Sequence, residues 1–167
     1  EALLESEERF FFFFLGSRDG LWDWNLLTND AYHSQQFSTM LGYEPDDLPY
    51  TSAVWSDLLH PEDREKAFER VNQYLEGKID HYESTFRMKT KDGSYRWITG
   101  RGKALFNDSG TPVRFVGFNT DVTKQKEQED EVNRLLEEKE FLLREINHRV
   151  KNNLAMVSSL INLKEKA

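Results

Sequence analysis

The sequence predicts an α+β protein: a five-stranded antiparallel sheet with short flanking helices, an N-terminal helix, and one long amphipathic C-terminal helix. Three observations predict it. Between residues 20 and 123, short apolar runs alternate with turn signals: two strands, short helices, then a three-strand meander. After Thr123 the chain is rich in Lys, Gln and Glu and holds no Gly or Pro. Within that stretch Leu135, Leu136, Leu142, Leu143, Ile146, Val150, Met156, Val157, Leu160 and Leu163 recur at three- and four-residue steps.

Each element has a local cause. Residues 1–15 read as a helix that starts on Glu and Leu and stops at Gly16. Gly20 to Leu26 alternates with period two, as a half-buried strand does. Thr28-Asn-Asp30 is a turn and Ala31–His33 a short second strand. Ser34 is suited to cap a helix that runs to Met40 and is closed by Gly42. Pro45 and Pro49 bracket a turn. His60-Pro61-Glu62-Asp63 opens a helix to Leu75, with Pro61 in its first turn and Gly77 past its end. Tyr82–Thr90 and Tyr95–Leu105 face each other across Lys91-Asp-Gly-Ser94, a hairpin signal. Val113–Asn119 follows the turn Asn107–Gly110 as the last strand.

Composition narrows the chemistry. The 167 residues are 38% hydrophobic and 13% aromatic, enough for one domain of about 100–120 residues plus an extension. There is no cysteine, hence no disulfide framework and no thiolate chemistry. No run of 18 apolar residues occurs, so no segment reads as a membrane helix. The net charge is −8, and all of it falls on the first 123 residues, because the acids and bases beyond them cancel. An acidic globule without a basic stripe argues against nucleic acid and against an anionic membrane surface as partners. His33 and His81 share no ligand spacing with other residues, so no metal site is expected. His60 reads as the residue that starts a helix. Trp22, Trp24, Trp55 and Trp97 suit either a small core or the wall of a ligand pocket.

The segment Phe141–Ile161 carries the most chemical information. At about 100° per residue, Arg144, Glu145, Lys151 and Asn152 fall within about 60° of His148 on one helix face. An exposed imidazole with polar neighbours and an apolar seam beside it suits phosphoryl acceptance from a partner domain. The bland alternative is a solvated helix face that carries a histidine. At step seven, Val132, Lys139, Ile146, Asn153 and Leu160 form one seam, with Leu135, Leu142, Arg149, Met156 and Leu163 three residues on. A helix of this length with such a stripe needs a partner, and a second copy of the same helix is expected. The five consecutive rings Phe10–Phe14 have no polar face and are expected to join a second contact between the two chains.

Two resemblances sharpen these readings. Leu142-Leu-Arg-Glu-Ile-Asn-His-Arg-Val-Lys-Asn-Asn-Leu154 resembles the phosphoacceptor box of bacterial sensor histidine kinases, in the subgroup with His-Arg-Val-Lys-Asn-Asn. Asn147 stands where that subgroup has a first histidine, and Arg149 where larger subgroups have an acid. The resemblance implies that His148 is the phosphorylated residue, with Glu145, Arg149 and Asn152 in support. It also implies an ATP-binding catalytic domain outside this chain, a response regulator as phosphate acceptor, and a cytoplasmic location. Gly20-Leu-Trp-Asp-Trp-Asn, Met40-Leu-Gly-Tyr-Glu-Pro, His60-Pro-Glu-Asp, Lys91-Asp-Gly-Ser-Tyr-Arg-Trp-Ile and Gly117-Phe-Asn-Thr-Asp-Val-Thr123 resemble successive motifs of PAS sensory domains. That resemblance implies the PAS fold and a strand order of 2-1-5-4-3. A flavin-adduct photosensor would need a cysteine, and a haem sensor a histidine within 63–75; neither is present. No recognisable cofactor motif occurs, and an unknown small PAS ligand is the expectation.

The expected domains are an N-terminal helix over 1–16, a PAS sensor over 17–123, and a signalling helix with the first phosphotransfer helix over 124–167. The function expected is that of the sensory and phosphoacceptor part of a sensor histidine kinase. The alternative is a ligand-binding or protein-docking PAS module whose coiled coil only dimerises.

Overall fold

The computed structural model describes residues 18–164, with side chains as far as Ile161. The expected helix over 1–16 and the Phe10–Phe14 contact lie outside the described residues. The elements in chain order are β1 (Gly20–Asn25), β2 (Ala31–His33), α1 (Gln35–Met40), α2 (Ala53–Leu58), α3 (Pro61–Leu75), β3 (Tyr82–Lys89), β4 (Tyr95–Phe106), β5 (Pro112–Asp121) and α4 (Thr123–Lys164). The chain divides into two compact units between Lys124 and Gln125.

The first unit is a five-stranded antiparallel sheet in the order β2-β1-β5-β4-β3, the order expected. The first strand therefore pairs with the last, Trp22 opposite Gly117. β4 is long enough to pair with both β3 and β5, placing Ile98 opposite Phe86 and Ala104 opposite Phe115. Alternation along the strands turns Phe86, Met88, Ile98, Ala104 and Phe115 onto one buried face. Phe37, Met40, Leu41, Val54, Leu59, Ala67 and Val71 from the helical side cover that face. Trp22 and Trp55 touch both halves of this core.

Local chemistry sets the helix boundaries. The Ser34 hydroxyl accepts from the Phe37 N–H at the start of α1, and Gly42 takes φ +78° beyond its end. His60 accepts from the Glu62 N–H through Nδ1 and leads into Pro61 of α3, as expected. α2 is the element the sequence reading passes over. Its N-cap, Ser52, makes no side-chain capping bond, and its six residues are too few for a periodic signal.

An ionic clamp joins α3 to β3. Asp63 accepts from the Arg87 backbone N–H and from Nε, both at 2.8 Å, and from Nη2 at 2.8 Å. Glu62 accepts from the same Nη2 at 2.9 Å. The guanidinium lies 5.2 Å from the centre of the Trp97 ring, so Trp97 packs outside the clamp and not in a ligand pocket. These bonds hold the Asp63 carboxyl below the usual carboxylate range.

The exit from the sheet is also pinned. The Trp97 N–H donates to Thr123 Oγ1 (3.0 Å), and Thr123 donates to Asp121 Oδ1 from its N–H (2.9 Å) and its hydroxyl (2.6 Å). Arg96 Nη1 donates to the Met40 carbonyl (2.7 Å) and to Asp121 Oδ2 (3.2 Å). The second unit is the remainder of α4, a helix of 42 residues and about 63 Å.

Candidate functional sites: a cavity in the sheet unit and a histidine on the long helix

The sheet unit holds a half-open cavity of about 450 Å³. Trp22 forms its floor. A Cβ on Gly117 would meet Trp22 Cζ2 at 2.4 Å and one on Gly102 would meet Cη2 at 2.5 Å, so the indole lies in a trough that only glycine leaves open. Its Nε1 donates to Asn119 Oδ1 at 3.0 Å. Phe115 meets the indole edge-on at 4.8 Å and 73°. Trp55 and Phe68 line the cavity from the helices, with Trp55 set edge-on to Phe68 at 5.1 Å and to Phe86 of the sheet face at 5.8 Å.

The polar groups of the wall come from separate elements. Asn29 holds φ +69° in the β1–β2 turn, a conformation asparagine tolerates. Its Oδ1 accepts from Trp24 Nε1 (3.0 Å) and from the Ser52 hydroxyl (3.3 Å). His33 stacks between Phe37 (5.1 Å) and Tyr50 (4.9 Å), and its Nε2 lies 3.2 Å from the Pro49 carbonyl. Its Nδ1 is buried and has no hydrogen-bond partner among the described residues. Burial raises the Tyr82 hydroxyl above its ordinary pKa and keeps it neutral. Of the four tryptophans, Trp22, Trp24 and Trp55 line this cavity and Trp97 does not.

Asn29, His33 and Asn119 were not singled out as cavity residues in the sequence. Asn119 could have been, since period two places it on the same face as Phe115 and Gly117, where a polar side chain is out of pattern.

On α4, His148 and its neighbours are exposed or half-exposed. The Asn152 amide Nδ2 lies 3.3 Å from His148 Nδ1, one turn on. Glu145 is bonded to Arg149 at 2.5 Å, and Arg144 pairs with Glu140 at 3.7 Å. Thus Asn152, and not Glu145, touches the imidazole, and both arginines are matched by acids four residues earlier. Lys151 makes no ion pair among the described residues. The apolar stripe of the same helix, from Val132 through Leu142 and Ile146 to Ile161, is about half exposed along its length.

Among the described residues no cluster of three or more His, Asp or Glu could hold a metal ion. No described helix is long and apolar enough to cross a membrane.

Residues 30–119 match the model of the PAS fold, and residues 145–167 match that of a histidine kinase family. The chain belongs to the PAS-fold family. The PAS domain, the histidine-kinase segment and the histidine-kinase relatives together support a sensory and phosphoacceptor fragment of a sensor histidine kinase. It is 30% identical over 143 residues to a blue-light-activated histidine kinase of Brucella ovis, covering 86% of this chain and 27% of that protein. The chain therefore spans about a quarter of the length of that relative. A methyl sulfide methyltransferase-associated sensor of Methanosarcina acetivorans is 30% identical over 100 residues, covering 58% of this chain and 10% of that protein. Among solved structures, a sensory box histidine kinase/response regulator from Burkholderia thailandensis superposes with a TM-score of 0.70. It is 38% identical and covers 78% of this chain and 96% of that chain.

Proposed function

We propose that the cavity of the sheet unit senses a small molecule and that His148 accepts the γ-phosphoryl group of ATP from a catalytic domain outside this chain. The observation that carries this reading is the exposed His148 with an amide at its Nδ1, inside the segment that matches the histidine kinase model. A lone pair on Nε2 attacks the γ-phosphorus, the bond to the bridging oxygen breaks, and ADP leaves with the electron pair. Neutral imidazole can do this only if the proton sits on Nδ1. A half-turn of the Asn152 amide presents Oδ1 to that N–H, whereas Nδ2 serves the opposite tautomer. Asn152 thus follows the ring through either state without a change of charge. Lys151, on the same helix face and without an ion pair among the described residues, supplies attraction for the triphosphate.

The domain limits that go with this function are 1–16, 17–123 and 124–167. The half-exposed stripe supports a homodimer through α4, and the Phe10–Phe14 run supports a second contact. The phosphate passes next to a response regulator, which puts the protein in the cytoplasm with its ATP. Mixing this chain with labelled ATP and a histidine-kinase ATP-binding domain tests the proposal. Acid-labile label on His148 is the expected result; label elsewhere, or none, overturns it.

A further inference from the structure

Granted that the cavity is the sensory site, its wall specifies a class of ligand. We infer that it takes an uncharged, flat aromatic molecule of about two fused rings, and not a phosphate-bearing cofactor. Charge is the first argument. The described residues that line the cavity include no Asp, Glu, Lys or Arg. An anionic group drawn in there would lose its water with no opposite charge to meet it.

Shape and size give the next two. Trp22, Phe115, Trp55, Phe68 and Phe86 all line the space and meet one another edge-on, so an aromatic guest has rings to pack against. The volume of about 450 Å³ equals roughly 15 water volumes. That suits a bicyclic ring with a substituent and lies within the usual range for small-molecule sites.

The test is calorimetric titration of the intact chain with 1-naphthol, 1-naphthoate, 1-naphthyl phosphate and flavin mononucleotide. Stoichiometric binding of 1-naphthol is expected, at least about tenfold tighter than that of any of the three anions. Asn72→Lys adds a cation to the wall from an exposed position on α3 and is expected to shrink or invert that preference. Phe68→Ala, also at a partly exposed position, is expected to weaken 1-naphthol while circular dichroism stays unchanged. Equal or tighter binding of either phosphate overturns the inference. So does the absence of 1-naphthol binding by folded protein, or an anion preference that Asn72→Lys leaves unmoved. Labelling of His148 is scored separately in the same protein. Failed binding with a labelled His148 removes the ligand class alone, and binding with an unlabelled His148 removes the phosphoacceptor reading alone.

Discussion

The indole of Trp22 donates to Asn119 Oδ1 at 3.0 Å, tying the first strand to the last across the cavity floor. Asn119 is 2% exposed, so this bond satisfies an amide oxygen that water does not reach. Trp22→Phe keeps a ring in the trough and removes the donor. The expected cost is about 1–3 kcal/mol of unfolding free energy. Urea denaturation measures it, and a midpoint unchanged from the parent would show the bond to be energetically idle.

Gly117 should tolerate no side chain. A Cβ there would stand 2.1 Å from the Arg101 carbonyl oxygen and 2.4 Å from Trp22. One of these atoms belongs to the backbone of a paired strand and cannot swing away. Gly117→Ala is expected to destabilise the sheet by at least about 1–3 kcal/mol. Gly77→Ala makes the comparison, because a Cβ there meets nothing within 4 Å and the strain of its φ +73° acts alone. The ranking of the two melting temperatures decides the matter.

The Asp63–Arg87 clamp predicts a pH dependence. The hydrogen bonds from Arg87 hold the Asp63 carboxyl below its unfolded value of about 3.9. A group lowered on folding contributes stability above its unfolded value and loses it as the pH falls through the folded one. Denaturation midpoints between pH 6 and pH 2.5 are therefore expected to fall more steeply in the parent than in Asp63→Asn. Asp92, lowered to about 2 by the Thr90 and Ser94 hydroxyls, adds to the fall in both proteins and drops out of the difference. Parallel curves would remove Asp63 as a contributor.

For the long helix, His148→Gln is expected to abolish phosphate incorporation and leave helicity intact. Asn152→Leu removes both the donor and the acceptor next to Nδ1. It is expected to slow incorporation and to shift its pH profile, whereas Asn152→Gln restores part of the rate. If the leucine variant matches the parent at every pH, Asn152 has no role at the ring.

The stripe on α4 predicts association. Leu142→Asp together with Ile146→Asp puts carboxylates where two half-exposed apolar side chains would meet a second copy. Sedimentation is expected to report a monomer for the double variant and a dimer for the parent. A dimer in both would move the contact off this helix.

How much was legible in the sequence depended on range. Ser34, Gly42, Pro61 and Gly77 act within four residues of themselves, so the boundaries of α1 and α3 follow from local chemistry. The strand order followed from motif resemblance. β5 runs to Asp121, beyond its apolar pattern, because β4 continues to pair with it as far as Ile98. The site was less legible. His148 and Asn152 lie four residues apart on one helix, and helical geometry alone brings them together. His33 and Pro49, or Trp22 and Asn119, meet only once the sheet is assembled, and no spacing announces them. The Glu145–Arg149 pair was within reach of the same helical arithmetic that linked Glu145 to His148, but the stronger charge partner takes the carboxylate.

A single residue, Val122, stands between the end of β5 at Asp121 and the start of α4 at Thr123, and its own N–H is bonded to the Trp97 carbonyl at 2.8 Å. Within α4 itself, helical geometry fixes the azimuth of His148 relative to every side chain nearer the helix start. Each residue inserted after Thr123 turns that azimuth by about 100°, so the output of the intact kinase is expected to vary periodically with insertion length, with four added residues returning within about 40° of the native phase.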